Sequence, residues 1–154
     1  MKLKAICISL ISALLLLAYL LYHDNKFDSQ NAGRSIVDQF ISSKENALSK
    51  EGAKLQGAQE ADLNEDGKQE TIIVWTLFGS TYWHNNLTIL SDQDGKYEFL
   101  ASKQLIGEAK LSKIEGDTIY VDQKIYADKD PICCPSVEKQ IKYHWDGKNI
   151  EQLK

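Results

Sequence analysis

The feature that most constrains this chain is an apolar stretch near its N-terminus, from residue 5 to residue 22. It contains no charged side chain, and Lys2 and Lys4 precede it. As a helix it would span about 27 Å, at about 1.5 Å per residue, which is close to the hydrocarbon thickness of a bilayer. Because the basic residues lie before the stretch, we expect the N-terminus inside the cell and all later residues outside the cytoplasm.

Two fates are open for this segment. As an uncleaved anchor it would make a single-pass protein of the inner (cytoplasmic) membrane, with a periplasmic or extracellular C-terminal domain. As a signal peptide it would be removed, and the domain would be secreted. Residues 20–25 lack small side chains at the spacing that cleavage needs, which favours the anchor, and Cys7 lies too early for lipid modification. A buried core helix is disfavoured because the stretch has no polar stripe.

The rest of the 154-residue chain divides into a tether and one domain. Residues 23–32 are short and polar, and residues 33–154 are enough for one hydrophobic core. The net charge is −4 and no basic stripe occurs, so nucleic acid is not an expected partner.

The fold class predicted for residues 33–154 is α+β and mostly β. Apolar residues at Ile36, Val37, Phe40 and Ile41 predict an amphipathic helix within residues 33–48, packed on a sheet or, as an alternative, bound to a partner. Residues 49–61 are polar and predict a loop or a ragged strand.

Hairpin signals dominate the sequence after residue 70. Runs of β-branched and aromatic residues alternate with turns such as Asp94-Gly95, whose two central residues need positive φ. Near the C-terminus, Ile141, Tyr143 and Trp145 share one face of a strand. We therefore expect an antiparallel meander sheet of roughly six to eight strands, covered by one helix. The predicted strands cover residues 71–78, 87–90, 96–100, 111–115, 118–122, 140–145 and 149–153.

A possible calcium loop lies in residues 62–70. It places oxygen-bearing side chains at its first, third, fifth and ninth positions and a glycine at its sixth, so that a tight turn can direct several oxygens at one hard cation. The candidate ligands are the side chains of Asp62, Asn64, Asp66 and Glu70 and the carbonyl of Lys68.

This loop is not an EF-hand, because Ile73 stands where a bidentate Glu is needed and a strand follows. It resembles instead the DxNxDGxxE calcium loops of FG-GAP and VCBS-like extracellular β repeats, over about 17 residues. That resemblance implies the same four side chains as ligands and a stabilising role for Ca²⁺. The alternative is a metal-free turn in which Asp and Asn side chains accept backbone N–H groups.

An adjacent cysteine pair, Cys133 and Cys134, lies between Pro131 and Pro135. Outside the cytoplasm such a pair forms a vicinal disulfide, remains as free thiols or bridges to another chain. The prolines favour the turn that a vicinal disulfide requires. A zinc site with His144 is disfavoured, because zinc-binding cysteines are usually separated by two to four residues.

The DP-x-CCPS segment and the following Lys-Tyr-x-Trp-x-Gly-Lys strand pair resemble the C-terminal part of small bacterial exported proteins and lipoproteins. The likeness covers roughly residues 58–152. It implies export and a compact β domain, and it implies no reaction.

The aromatic run at residues 78–86 is the candidate contact surface, with Tyr82, Trp83 and His84 as candidate binding residues. Tyr and Trp contribute much of the binding energy at interfaces, although a strand connection with two core aromatics is the alternative. No nucleophile elbow or triad spacing is present. We therefore expect a non-enzymatic binding domain for a protein or cell-envelope partner, of inhibitor, immunity or assembly type. The alternatives are a calcium-stabilised structural module and a cell-envelope hydrolase with a hidden site near His84 and His144.

Overall fold

The computed structural model describes residues 36–45, 50–131 and 134–154. All of these residues belong to one compact unit, Ser35–Lys154. The predicted membrane segment, the tether and Cys7 lie outside the described residues. Within the described ranges no helix is long and apolar enough to span a membrane.

The unit contains one helix and eight strands. The helix, α1, covers residues 36–44 of the described part. The strands are β1 (Gly52–Ala61), β2 (Glu70–Phe78), β3 (Trp83–Gln93), β4 (Lys96–Leu105), β5 (Glu108–Glu115), β6 (Thr118–Ile125), β7 (Val137–Trp145) and β8 (Ile150–Gln152). The domain is therefore mostly β, with one short helix.

The strands form two antiparallel sheets, and the prediction of one meander sheet is wrong on this point. The first sheet has the order β1-β2-β3-β4 and the second has the order β5-β6-β7-β8. Although only Ile106 and Gly107 separate β4 from β5, these two strands do not pair. Instead, β5 lies against β1, β2 and β3, and β8 lies against β4. The chain thus turns from one sheet into a second sheet that faces the first.

The main core lies between the two sheets. Along β2 and β3 one face of each strand points to the second sheet, as the two-residue period of a strand requires. In β7, Tyr143 and Trp145 are buried in this core and Ile141 packs at its edge, as their alternation predicts. The buried apolar side chains of this core are Leu63, Ile72, Val74, Leu87, Ile89, Ala101, Leu105, Ala109, Leu111, Ile119, Val121, Tyr143, Trp145 and Ile150.

Helix α1 covers the other face of the first sheet, and this prediction is confirmed. The Phe40 ring meets the Trp75 ring edge-on at 5.3 Å and the Tyr97 ring edge-on at 5.5 Å between centroids. Ile36 and Val37 are buried beside Phe40 in the same cluster. Both faces of β2 are therefore covered, which explains its continuous apolar sequence.

Two local expectations are confirmed and one needs correction. Residues 52–61 form strand β1, which pairs along β2 with a register shift between Leu55 and Gly57, so the ragged-strand alternative for residues 49–61 is confirmed. Strand β3 begins at Trp83 and not at residue 87 as predicted, so Trp83 and His84 lie in this strand. The turn at Asp94-Gly95 has φ values of 55° and 80°, which confirms the two positive-φ positions expected there.

Candidate functional site

A cleft of about 750 Å³ lies beside the corner where Ile106 and Gly107 connect the two sheets. We call it the amide cleft. Its size falls within the range of small-ligand sites, roughly 300–1,000 Å³. Strands from both sheets contribute to its wall, which consists of Gln56, Thr76, Trp83, Asn85, Glu108, Ala109, Lys110, Asp122, Gln123, Lys124, Glu138, Lys139 and Gln140.

A chain of hydrogen bonds crosses the first sheet at this cleft. The β1–β2 register shifts between Leu55 and Gly57, so Gln56 occupies a bulge that redirects its side chain. Gln56 Nε2 donates to Thr76 Oγ1 at 2.9 Å, and Thr76 Oγ1 donates to Asn85 Oδ1 at 2.6 Å. The result is a fixed row of amide and hydroxyl groups along the wall.

Asn85 and Gln123 anchor the connection between the sheets. Asn85 Nδ2 donates to the Gly107 carbonyl at 2.6 Å, and Gln123 Nε2 donates to the Ile106 carbonyl at 2.9 Å. Both amides are almost fully buried, with 3% and 2% of their surface exposed. Because buried polar groups need partners, these bonds fix the turn and the adjacent cleft wall together.

Tyr143 completes the support from the second sheet. Its hydroxyl donates to Gln123 Oε1 at 2.7 Å. Burial raises the pKa of this hydroxyl to about 12, so it remains a proton donor at every physiological pH. Gln123 is thereby held at both ends of its amide.

Charged side chains of both signs lie along the amide cleft in equal number. The acidic ones are Glu108, Asp122 and Glu138, and the basic ones are Lys110, Lys124 and Lys139. Lys124 pairs with Glu138 at 3.5 Å, and Gln140 Nε2 donates to Asp122 Oδ1 at 3.0 Å. The lining therefore carries no net charge, while polar partners are available along its length.

Of the three predicted binding residues, only Trp83 lines the amide cleft, and 36% of its surface is exposed. The Tyr82 ring stacks on the His84 ring at 5.4 Å, and the Tyr82 hydroxyl donates to the Glu51 carboxylate. This bond to Glu51 raises the pKa of the Tyr82 hydroxyl. The structure thus separates Tyr82 and His84 from the cleft to which Trp83 contributes.

The two histidines of the hydrolase alternative lie on different sheets. His84 Nδ1 is 3.2 Å from Gln104 Nε2, and His144 Nδ1 is 3.2 Å from Asp117 Oδ2. Neither histidine lines the amide cleft.

The predicted calcium loop, residues 62–70, directs its carboxylates at its own backbone. Asp62 accepts the N–H groups of Asp66 at 3.1 Å and Gly67 at 2.9 Å. Asn64 and Asp66 accept further N–H groups in the same turn, at 3.0 and 2.8 Å. Among the residues that the structure describes, no three His, Cys, Asp or Glu side chains are grouped to hold a metal ion. Calcium binding by this loop remains a prediction.

Glu70 is the buried member of this loop, with 4% of its surface exposed. Its Oε2 accepts the Leu63 N–H at 2.9 Å, which joins the two ends of the loop. Burial raises the pKa of Glu70. The hydrogen bond from the Leu63 N–H lowers this pKa, and the negative charges of Asp66 and Asp62 raise it. The neighbouring Lys68 is exposed.

Cys134 is a disulfide-bonded cysteine. Cys133 and Cys7, the other cysteines of the chain, lie outside the described residues, so the vicinal pairing remains a prediction. The Asp130 carboxylate closes the loop around this segment by accepting the N–H groups of Ala127 at 2.7 Å and Ser136 at 2.8 Å. These bonds lower the pKa of Asp130.

Sequence reasoning missed the amides that build the cleft. One signal was available in β6, where Ile119, Val121 and Gln123 share the face that points into the core. An amide at a position that the alternation assigns to the core needs buried hydrogen-bond partners, and it therefore marks a polar site.

Comparison with known proteins gives one match. Residues 93–148 match the model of the LppP/LprE lipoprotein family, and this region runs from the end of β3 to the turn before β8. No curated protein and no solved structure matches the chain. The chain is thus similar over these residues to the LppP/LprE lipoproteins, and the described unit contains a lipoprotein-like domain.

Proposed function

We propose that this protein is a membrane-anchored, non-enzymatic binding domain of the cell envelope, and that the amide cleft takes an uncharged, hydroxyl-rich ligand such as a glycan of the envelope. The family match supports the location, and the composition of the cleft supports the kind of ligand.

The observation that carries this proposal is the exposed indole of Trp83 beside two accessible amides of the lining, the half-buried Gln56 and the exposed Gln140. Side-chain amides both donate and accept hydrogen bonds, as sugar hydroxyls do. The Trp83 ring offers a flat apolar surface and one N–H donor next to them. Because Asn85 and Gln123 are held by the turn at Ile106 and Gly107, the wall is organised before any ligand arrives.

The balance of charges along the cleft also supports an uncharged ligand. Three carboxylates and three ammonium groups line the cleft, so it attracts neither strongly anionic nor strongly cationic ligands. The hydrolase alternative lacks comparable support, because His84 and His144 lie outside this cleft.

For the location, we propose a single membrane pass at residues 5–22, with the domain on the periplasmic or extracellular side. A C-terminal fusion to a reporter that folds only in an oxidising compartment should be active in intact cells. Activity only for a reporter that works in the cytoplasm would overturn this topology.

The ligand assignment is tested by calorimetric titration of the detergent-solubilised full chain with soluble fragments of envelope glycan. We expect saturable binding to the wild type and a loss of about 2 kcal/mol or more in Trp83→Ala, because exposed tryptophans at the centre of a site contribute this much. Phe99→Ala is the matched control, since Phe99 is 53% exposed and does not line the cleft. Equal affinities of the two variants would refute a role for the cleft.

A further inference from the structure

A second groove lies at the same corner of the sandwich, on the other side of Gln123. It has a volume of about 630 Å³ and lies between β4, β6, β7 and the end of the chain after β8. We call it the lysine groove, because Lys103, Lys139, Lys142 and Lys154 line it. The Lys142 ammonium itself lies over the Tyr120 ring at 5.3 Å, outside the groove, so the charge within the groove comes from the other lysines. It shares Gln123, Lys139 and Gln140 with the amide cleft.

Two of these lysines occupy positions that the strand alternation assigns to the core. Lys103 lies directly opposite Leu87, whose side chain is buried between the sheets. Lys139 lies directly opposite Gln123, on the face of β7 that continues into Ile141 and Tyr143. Directly opposed residues of an antiparallel pair share a face, so both lysines lie at inward-facing positions of their strands, where Lys103 is half-buried and Lys139 is exposed.

No acidic side chain belongs to the lining of this groove. Within the described part of the chain neither Lys103 nor Lys139 forms an ion pair. A concave site with several like charges and low-dielectric walls concentrates field and attracts a counter-ion. This positive groove stands out on a chain whose net charge is −4.

Apolar side chains form the rest of the groove. Ile125 and Ile141 are half-buried in its wall. Ile106 and Leu153 lie at its mouth with 71% and 41% of their surface exposed. Exposing an isoleucine to this extent is unfavourable in water, and the side chain gains free energy when a hydrophobic ligand covers it.

We propose that the lysine groove binds an anionic lipid. Lys103 and Lys139 hold its phosphate group, the first part of an acyl chain lies along Ile125 and Ile141, and Ile106 and Leu153 contact the remainder at the mouth. The combination of inward lysines and apolar walls fits a phosphate that carries a hydrocarbon chain better than a free phosphate, which would use only the lysines. Lys139 lines both sites, but Lys103 does not line the amide cleft and Trp83 does not line the lysine groove, so variants of these two residues test the two proposals separately.

The test uses the full chain reconstituted into nanodiscs of phosphatidylcholine and phosphatidylglycerol in equimolar amounts. A photoactivatable phosphatidylglycerol is crosslinked, and mass spectrometry of proteolytic peptides locates the adducts. We expect adducts on the peptides that contain residues 103–106 and 139–143. Photoactivatable phosphatidylcholine, whose headgroup is neutral overall, should label these peptides much less.

Variants separate charge from structure. Each lysine near an anionic lipid surface contributes about a fivefold gain in affinity, so Lys103→Gln should reduce labelling about fivefold and the double variant Lys103→Gln/Lys139→Gln should reduce it further. Lys103→Arg keeps the positive charge and should be labelled as strongly as the wild type. Lys96→Gln is the control on the same strand, because Lys96 lies at the opposite end of β4 and outside the groove.

Three results would overturn the proposal. One is equal labelling of the groove peptides by the anionic and the zwitterionic probe, and another is undiminished labelling of the double variant. The third is complete competition by soluble glycerol phosphate, which would assign the groove to free phosphate esters. Loss of glycan binding in Trp83→Ala with normal lipid labelling would separate the two sites.

Discussion

Asn85 and Gln123 reach from different sheets to consecutive carbonyls of one turn, at 2.6 Å to Gly107 and 2.9 Å to Ile106. The two amides therefore tie the sheets together at the corner where both clefts open. Gln123 belongs to the linings of both clefts, whereas Asn85 lines the amide cleft and not the lysine groove. We therefore expect the stability of this corner and the proposed binding to depend on the same few hydrogen bonds.

Replacing Gln123 tests this connection. Gln123→Leu leaves the Ile106 carbonyl and the Tyr143 hydroxyl without their partner, and each buried unpaired group costs about 1–3 kcal/mol. We expect a loss of about 2 kcal/mol or more in the free energy of unfolding, measured by denaturant titration of the full chain in detergent. Gln93→Leu, at an exposed position, is the control and should change little. Equal effects would show that the buried amide has no special role.

Position 107 requires a glycine for two reasons, its φ of 74° and the close approach of neighbouring backbone. A Cβ atom at this position would lie 1.8 Å from the Lys124 carbonyl oxygen. We expect Gly107→Ala to cost about 3 kcal/mol or more, which is typical of overpacking combined with backbone strain. Gly95 has a φ of 80° with open space around it, so Gly95→Ala should cost only about 1–2 kcal/mol. A Gly107→Ala variant as stable as Gly95→Ala would contradict the close approach of the turn to β6.

The pH dependence of stability should change in Glu70→Gln. Folding raises the pKa of Glu70 above its ordinary value of 4.5, through burial first and through Asp66 and Asp62 second. The protonated form of Glu70 therefore stabilises the folded protein fully when the pH is below the ordinary pKa. This stabilisation is lost as the pH rises through the raised pKa of the folded state. We expect the stability of Glu70→Gln relative to the wild type, measured as melting temperatures over a range of pH that begins below 4.5, to increase as the pH rises. A constant difference across this range would contradict the shift.

Calcium binding by the loop of residues 62–70 is tested with the same variant. A bound ion stabilises the native state, so millimolar Ca²⁺ should raise the melting temperature of the wild type. Glu70→Gln keeps an acceptor for the Leu63 N–H but removes a charged ligand, and the effect of Ca²⁺ should shrink. A wild type that does not respond to Ca²⁺ would leave the loop as a turn held by its own hydrogen bonds.

Local patterns in the sequence predict the local structure well. The spacing of Ile36, Val37 and Phe40 is sufficient for the face of α1, because a helix repeats every 3.6 residues whatever it packs on. The same holds for the turn at Asp94-Gly95, where the residue types alone favour positive φ.

The division into two sheets was not predictable in this way. It depends on the contact of Gly107 with the Lys124 backbone and on the hydrogen bonds from Asn85 and Gln123 to the turn between the sheets. These contacts join distant parts of the chain. The amide cleft was missed for the same reason, since Gln56, Asn85 and Gln123 come from three different strands. Only the amide of Gln123 among apolar neighbours in β6 gave a local sign of it.

The central claim is that a hydroxyl-rich envelope ligand occupies the amide cleft, and NMR of the three indole N–H groups tests it most directly. On titration of the full chain with soluble glycan fragments, the Trp83 signal and the side-chain amide signal of Gln56 should shift together and saturate. Trp75 and Trp145 are buried elsewhere and serve as internal controls whose signals should stay in place. An unchanged Trp83 signal at saturating ligand, or shifts confined to Tyr82 and His84, would contradict the account.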